Sequence, residues 1–245
     1  MNLGSPDSPA VGDVRRFLRE FLMDCRVLDI PWVVRFFLVQ FLILPSRPKK
    51  SAEAYRKVWL PEGSPLVIIS KKVCEALRSR VEAPVELAMR YQNPRIEKAI
   101  DNLLEHTVDE ILLIPLFPHY AMSSFETAVE KVSAVLHRKA PGVKLVVQPP
   151  FFDRPDYIQA LVASAREMLD RGYDHLLFSF HGLPEHQLVK SDPCGTHCLA
   201  ANDCCAGEHP SHNTCYRAQC FKTMDAFVKA AGIPREKYSV AFQSR

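Results

Sequence analysis

Residues 175–180, HLLFSF, read as a short apolar strand, and His181-Gly182-Leu183-Pro184 follows at once. Open α/β sheets bind ligands beyond the carboxyl ends of their parallel strands, so His181 is the first candidate for chemistry. An imidazole has a reference pKa of about 6.5 and is available near neutral pH to accept a proton or to ligate a metal through a ring nitrogen. Gly182 lets the backbone turn and Pro184 fixes the loop that follows. The plainer reading is a structural histidine closing a strand.

The second chemical feature is sulfur. Six of the eight cysteines lie in one short segment, Cys194-x3-Cys198-x5-Cys204-Cys205-x9-Cys215-x4-Cys220, together with His197, His209 and His212. Thiolates spaced this closely along a loop can wrap zinc or a [2Fe–2S] cluster, each of which takes four ligands, and spacing alone does not separate the two. A disulfide framework is the poorer reading, because no N-terminal stretch combines a basic flank, an apolar run and a cleavage site. The expected compartment is therefore cytoplasmic. A surface loop of free thiols would be an oxidation liability. Cys25 and Cys74 sit in apolar, helix-like contexts and read as small core residues.

The elements that must position these groups alternate. Asn2-Leu3-Gly4-Ser5-Pro6 reads as a turn with no strand before it. A helix follows at 11–23, with Val14, Phe17, Leu18, Phe21 and Leu22 on one face, and a second apolar helix leads to the Pro45–Pro48 break. Beyond Gly63-Ser64-Pro65, the run 66–70 (LVIIS) has the character of a buried parallel strand, with a helix over 71–80. Further strands are expected at 85–91, 110–117 and 144–148, and helices at 94–106 and from a Ser123 or Ser124 cap to Lys139. Gln148-Pro149-Pro150 cannot be a central strand and marks a boundary. The alternation then restarts with a helix at 155–171, the strand before His181, a helix at 216–231 and a strand at 238–242. Strands alternating with helices predict an α/β protein with parallel sheets, divided into domains at 1–148 and 149–245, the cysteine-rich stretch 194–220 being inserted in the second. The chain ends directly after its last strand, where such a domain continues with a helix, so the second domain reads as incomplete.

Composition narrows the function classes. With 245 residues and 47% hydrophobic content the chain can bury a substantial core. A net charge of +3 lacks the concentrated basic stripe of a nucleic-acid binder, so no nucleic-acid partner is expected. The apolar stretch 30–44 (IPWVVRFFLVQFLIL) is shorter than the roughly 20 residues of a membrane span and is interrupted by Arg35 and Gln40. It reads either as a buried helix or as an apolar lip that touches lipid or a greasy ligand.

SFHGLP followed by Lys190-Ser191-Asp192-Pro193 resembles the signature segment of the ferrochelatases. Asn2-Leu3-Gly4-Ser5-Pro6, Ala54-Tyr55-Arg56, Gly63-Ser64-Pro65, Met89-Arg90-Tyr91, Pro115-Leu116-Phe117-Pro118-His119-Tyr120 and Phe242-Gln243-Ser244-Arg245 fall in that family's order and approximate spacing. The resemblance implies a chelatase-like fold of two similar three-layer α/β domains with a porphyrin cleft between them. It also implies insertion of ferrous iron, as substrate, into protoporphyrin or coproporphyrin in heme biosynthesis by a metal-inserting lyase. The residues do not separate the two porphyrins. His181 corresponds to the family's macrocycle-facing histidine, as base or metal-handling group. Arg90 and Tyr91 match its segment after the second strand, and Tyr120 with Ser123 or Ser124 the loop after the third. An arginine fork suits a porphyrin propionate, while aromatic and hydroxyl groups hold the ring. Outside the resemblance, Arg90 reads as a surface ion pair and Tyr120 as a core aromatic. Tyr55, Arg47 and the lip near Phe36, Phe37 and Leu44 resemble the cleft entrance.

Some bacterial members resemble this chain in an internal cysteine insert holding a [2Fe–2S] cluster. The expected ligands are Cys198, Cys205, Cys215 and Cys220, with Cys204 as substitute for Cys205 and Cys194 spare; zinc is the alternative metal. The family's acidic second-domain helix lies beyond the last residue here, so weak or absent activity is expected. The competing classes are a redox-sensing iron–sulfur or zinc module without catalysis and a chelatase for another tetrapyrrole.

Overall fold

A computed structural model describes residues 1–243, so Ser244 and Arg245 of the C-terminal motif lie outside the described residues. The chain divides into two units, one made of residues 1–116 and 123–148, the other of residues 117–122 and the chain from Pro149 onward.

The first unit opens with strand β1 (Asn2–Gly4), then helices α1 (Val11–Leu22), α2 (Trp32–Phe37), α3 (Arg47–Val58) and α4 (Pro65–Arg78). Strand β2 (Met89–Tyr91), helix α5 (Ile96–Leu104), strand β3 (Glu110–Leu113), helix α6 (Thr127–Lys139) and strand β4 (Lys144–Val147) complete it. Strands pair in parallel, β1 with β2 and β3 with β4. The expected alternation of parallel strands and helices is therefore what the chain builds.

Four local readings change. Asn2–Gly4 is itself a strand rather than a turn lacking one, because the next parallel partner, β2, lies far downstream. Gly4 takes a φ of 107°, and a Cβ there would stand 2.1 Å from the Tyr91 carbonyl oxygen, so only glycine permits this approach. The run 66–70 is not a strand but the opening of α4. Pro65 sits in its first turn, and the buried residues Ser70 and Cys74 are four apart, which is a helical period. Ser123 and Ser124 do not cap α6: a π-helical turn, Met122–Glu126, runs into it with no side-chain cap. Finally, Cys25 is exposed, whereas Cys74 is buried as expected.

The second unit contains helix α7 (Pro155–Asp170), strand β5 (Leu176–His181), helix α8 (Glu185–Lys190), helix α9 (Tyr216–Ala231) and strand β6 (Tyr238–Gln243). Parallel β5 and β6 pair from Leu176↔Tyr238 to His181↔Gln243. The core is the α7–α9 interface, where Ile158 and Val162 meet Phe227, Val228 and Ile233, with Leu176, Phe178 and Tyr238 of the strands packed against them. Apolar burial of this kind contributes about 25 cal/mol per Å². Helix α9 stops at Gly232, whose φ of 68° is the left-handed conformation of a glycine cap.

Candidate functional site

His181 is the last residue of β5 and is exposed. The next amide, of Gly182, donates to the Gln243 carbonyl at 2.7 Å, which extends the parallel ladder one residue past the histidine before the loop departs. On the opposite edge of β5 the His181 backbone faces the Tyr216 hydroxyl, which also stands beside the Cys220 thiol. Behind the histidine, His119 packs edge-on to Phe180 and to Tyr216, with ring centroids 5.8 and 5.7 Å apart.

His119 is a functional candidate that the sequence reading quoted within a motif without assigning it a role. Its Nε2 lies 2.9 Å from the Thr223 hydroxyl, which lies 2.7 Å from the Phe152 carbonyl. Burial pulls the His119 pKa down to about 4. Its neighbour Tyr120 donates its backbone N–H to the Gln219 side-chain oxygen at 2.6 Å. The Gln219 amide nitrogen in turn donates to the His212 and Asn213 carbonyls at 3.0 and 2.9 Å. Gln219 is fully buried, and only its place in a helix one residue short of Cys220 could have drawn attention to it.

The cysteine segment is organised from Asp192. Its carboxylate accepts N–H groups from Cys194, His197 and Cys198 at 3.0, 2.8 and 2.9 Å, and the Ser211 hydroxyl at 2.5 Å. The Ser211 hydroxyl and those amides overcome desolvation and hold this carboxyl well below the usual range. His197 and His212 both place Nε2 on the Cys204 carbonyl, and His197 stacks on His209. Within that frame the Cys198 and Cys205 thiols both engage Cys215, and the Cys204 and Cys205 sulfurs are 3.9 Å apart. The contact from Cys205 favours the thiolate at Cys215, and burial opposes it; the Ala218 amide at the start of α9 adds to the lowering. Burial pushes the Cys198 thiol up to about 12. Cys220 points elsewhere, to Tyr216, and Cys194 is exposed. Among the described residues no three Cys, His, Asp or Glu side chains already stand at metal-binding geometry.

In the first unit, Arg90 and Tyr91 close on one carboxylate. Asp24 accepts from the Arg90 Nη2, the Thr127 hydroxyl and, at 2.9 Å, the Tyr91 hydroxyl. Arg90 Nε is held by the Thr127 hydroxyl and carbonyl at 2.8 and 3.1 Å. Burial raises the Asp24 pKa, but the Thr127 hydroxyl, the Arg26 amide and the Arg90 cation outweigh it and hold the carboxyl below its ordinary value. Arg90 is therefore not the free fork expected for a propionate, and Tyr91, fully buried, cannot touch a substrate directly. Tyr55 stands edge-on to Phe17 and Trp59, Arg47 is exposed at the start of α3, and Ser123 and Ser124 are partly exposed.

The apolar stretch 30–44 is not a buried helix. Trp32, Phe37, Phe41 and Leu42 are 56 to 69% exposed, and Phe36, Phe37 and Phe41 pack ring on ring. Arg35 turns inward to donate to the Leu28 and Ile30 carbonyls, so the outer face carries no charge from it. No helix among the described residues is long and apolar enough to cross a membrane.

The sequence model of the Ferrochelatase family matches residues 1–245. The chain belongs to the ferrochelatase family. Proteins named ferrochelatase resemble it throughout. That of Azotobacter vinelandii is 50% identical over 248 residues, covering all of this chain and 73% of its own length. That of Stutzerimonas stutzeri is 49% identical over 247 residues, covering all of this chain and 72% of its own. That of Pseudomonas fluorescens strain Pf0-1 is likewise 49% identical with the same coverage. Ferrochelatase chemistry, iron insertion into a porphyrin in heme biosynthesis, is therefore the reaction that these side chains must be asked to perform.

Proposed function

We propose that His181 takes a pyrrole proton as ferrous iron enters the porphyrin. The observation that supports this is an exposed imidazole at the carboxyl end of β5, with its backbone tied to Gln243 through Gly182 on one edge and facing Tyr216 on the other. Two N–H protons must leave the macrocycle as Fe²⁺ binds its four nitrogens, and the ring must deform so that the nitrogen lone pairs face the metal. A base on a rigid strand end serves the first need, since it receives one proton at its ring nitrogen without having to be ordered first, while the second proton leaves to solvent water. Replacing His181 by Ala should lower porphyrin metallation at least 100-fold with porphyrin binding retained; undiminished turnover would remove His181 from the reaction.

The ring and its carboxylates are assigned to Tyr120, Tyr55, Ser123, Ser124 and Arg47, while Arg90 and Tyr91 hold the Asp24 network of the first unit. The enzyme is classed with the lyases, since metal enters without hydrolysis.

The cysteine segment is assigned a [2Fe–2S] cluster. Its donor set fits, because Cys198 and Cys205 each stand against Cys215 and Cys204 stands beside Cys205. Those four are the ligands favoured here over a set containing Cys220, whose sulfur is buried beside Tyr216. Such a cluster supplies one-electron redox chemistry and a cross-link through four thiolates. A protein with visible charge-transfer absorption and iron with inorganic sulfide at two each per chain supports the cluster. A colourless protein with one zinc replaces it by a structural site.

The apolar face of α2 and the turn after it is assigned to peripheral membrane contact, on the ground of its exposed, uncharged aromatic surface. Co-sedimentation with lipid vesicles that is lost in Phe37→Glu/Phe41→Glu tests it.

A further inference from the structure

Two backbone amides, those of His181 and Tyr120, meet side chains from one turn of α9. The Gly182 N–H points to β6, and because successive N–H groups of a strand face opposite edges, the His181 N–H faces away from β6. The Tyr216 hydroxyl faces it there and stands beside the Cys220 sulfur. Three residues on, the buried Gln219 carboxamide ties the Tyr120 N–H to the His212 and Asn213 carbonyls at the end of the cysteine segment. Its orientation is determined: a flipped amide would set oxygen against two carbonyls and nitrogen against an N–H. One turn further, Thr223 holds His119 and the Phe152 carbonyl. The same helix begins at Cys215, whose thiol receives the Ala218 N–H as the cap.

We infer that the first turn of α9 makes the cysteine segment a positioning device for the reaction site: Tyr216 fixes the backbone of His181, and Gln219 fixes Tyr120 to the segment. This rests on the reading of His181 as the reacting base. Tyr216 and Gln219 are positioning residues, since both act through another group. Order in the segment, whatever thiol ligation produces it, passes through Gln219 to the Tyr120 amide and through Cys215 and Tyr216 to the His181 amide.

The test uses the whole chain and reads amide hydrogen exchange residue by residue, beside metallation kinetics. Tyr216→Phe, which keeps the ring and deletes the hydroxyl, should speed exchange at His181 about tenfold while leaving Tyr120 unchanged, and should lower kcat about tenfold with the porphyrin KM within twofold. Cys205→Ser, which loosens the segment, should speed exchange at Tyr120 at least fivefold. In Gln219→Glu, which keeps the acceptor for Tyr120 but loses both donors to the segment, Cys205→Ser should have no further effect there. Gln219→Met serves in its place if Gln219→Glu does not fold. Unchanged His181 exchange in Tyr216→Phe, or a Cys205→Ser effect that survives the loss of Gln219, overturns the inference. Full activity in His181→Ala would instead overturn the catalytic reading, leaving the exchange results to stand on their own.

Discussion

The Thr223 hydroxyl stands between His119 Nε2 at 2.9 Å and the Phe152 carbonyl oxygen at 2.7 Å. Carbonyls can only accept, so threonine's single hydrogen goes to that of Phe152 or, at 3.1 Å, that of Gln219, and the imidazole must donate to the hydroxyl oxygen. That assigns the proton of neutral His119 to Nε2, and burial lowers the pKa of this ring to about 4. Between an unfolded value of about 6.5 and the folded value of about 4, the unfolded chain binds the extra proton and the folded chain does not. Stability of the second unit is therefore full above about pH 6.5 and falls as the pH drops toward 4. The gap of about 2.5 pH units corresponds to a loss on the order of 3 kcal/mol. Protection of the α9 amides, measured in urea at pH 7 and pH 4.5, should show this slope, and His119→Gln should flatten it. An equal slope in the variant assigns the effect to other groups.

Asp24 is the hub of the first unit's polar core. Its side chain is 5% exposed and serves Arg90, Tyr91 and Thr127 together. Asp24→Ala strands a guanidinium and a buried phenol, and breaking a buried pair from one side typically costs about 3 to 5 kcal/mol. Both tryptophans, Trp32 and Trp59, lie in this unit, so urea unfolding followed by tryptophan fluorescence reads it directly. Asp24→Asn, which keeps the shape, should lose less. Because the folded carboxyl lies below its ordinary value, its contribution is present above about pH 4 and fades as the pH falls through the folded pKa.

Gly4 predicts a sharp steric effect. A methyl group at Gly4 would overlap the Tyr91 carbonyl, and the φ of 107° is strained for any L side chain. Gly4→Ala should destabilise the first unit by about 2 kcal/mol or more, whereas Gly12→Ala, where nothing lies within 4 Å, should be neutral or slightly stabilising. Comparable midpoints for the two variants would mean that β1 is not seated on β2 as described.

The α/β alternation is legible because most helices carry their period openly; 216–231 is named identically by sequence and structure. Residues 66–70 mislead because LVII suits a buried strand or a helix face equally. What decides is Pro65 ahead of it, which suits a first helical turn, with Ser70 bonding back to the Leu66 carbonyl at 2.7 Å, a contact one helical turn apart. Asn2–Gly4 is opaque for the reason that any short parallel strand is: its partner lies 87 residues away, at Met89 for Asn2. At the site, His181 is visible because a strand end and a Gly-Leu-Pro loop are local patterns. Gln219 and Tyr216 are invisible because their importance lies in which backbone groups they meet after folding. Arg90 looks like a ligand fork until the fold brings Asp24 and Thr127 to it.

The thiol set makes the last prediction. Cys215 is engaged by both Cys198 and Cys205, while Cys220 is buried beside Tyr216. If a cluster is held by Cys198, Cys204, Cys205 and Cys215, then Cys215→Ser should abolish the visible absorption and the bound iron. Cys220→Ser should retain both, because its sulfur is not part of the set. The two variants also separate structure from ligation: in Cys220→Ser the new hydroxyl keeps a donor and an acceptor near Tyr216, at a cost on the order of 1 kcal/mol for a buried hydroxyl replacing a thiol. Loss of colour in Cys220→Ser with retention in Cys204→Ser would reverse the assignment, placing Cys220 among the ligands and requiring α9 to turn its first helical turn toward the segment.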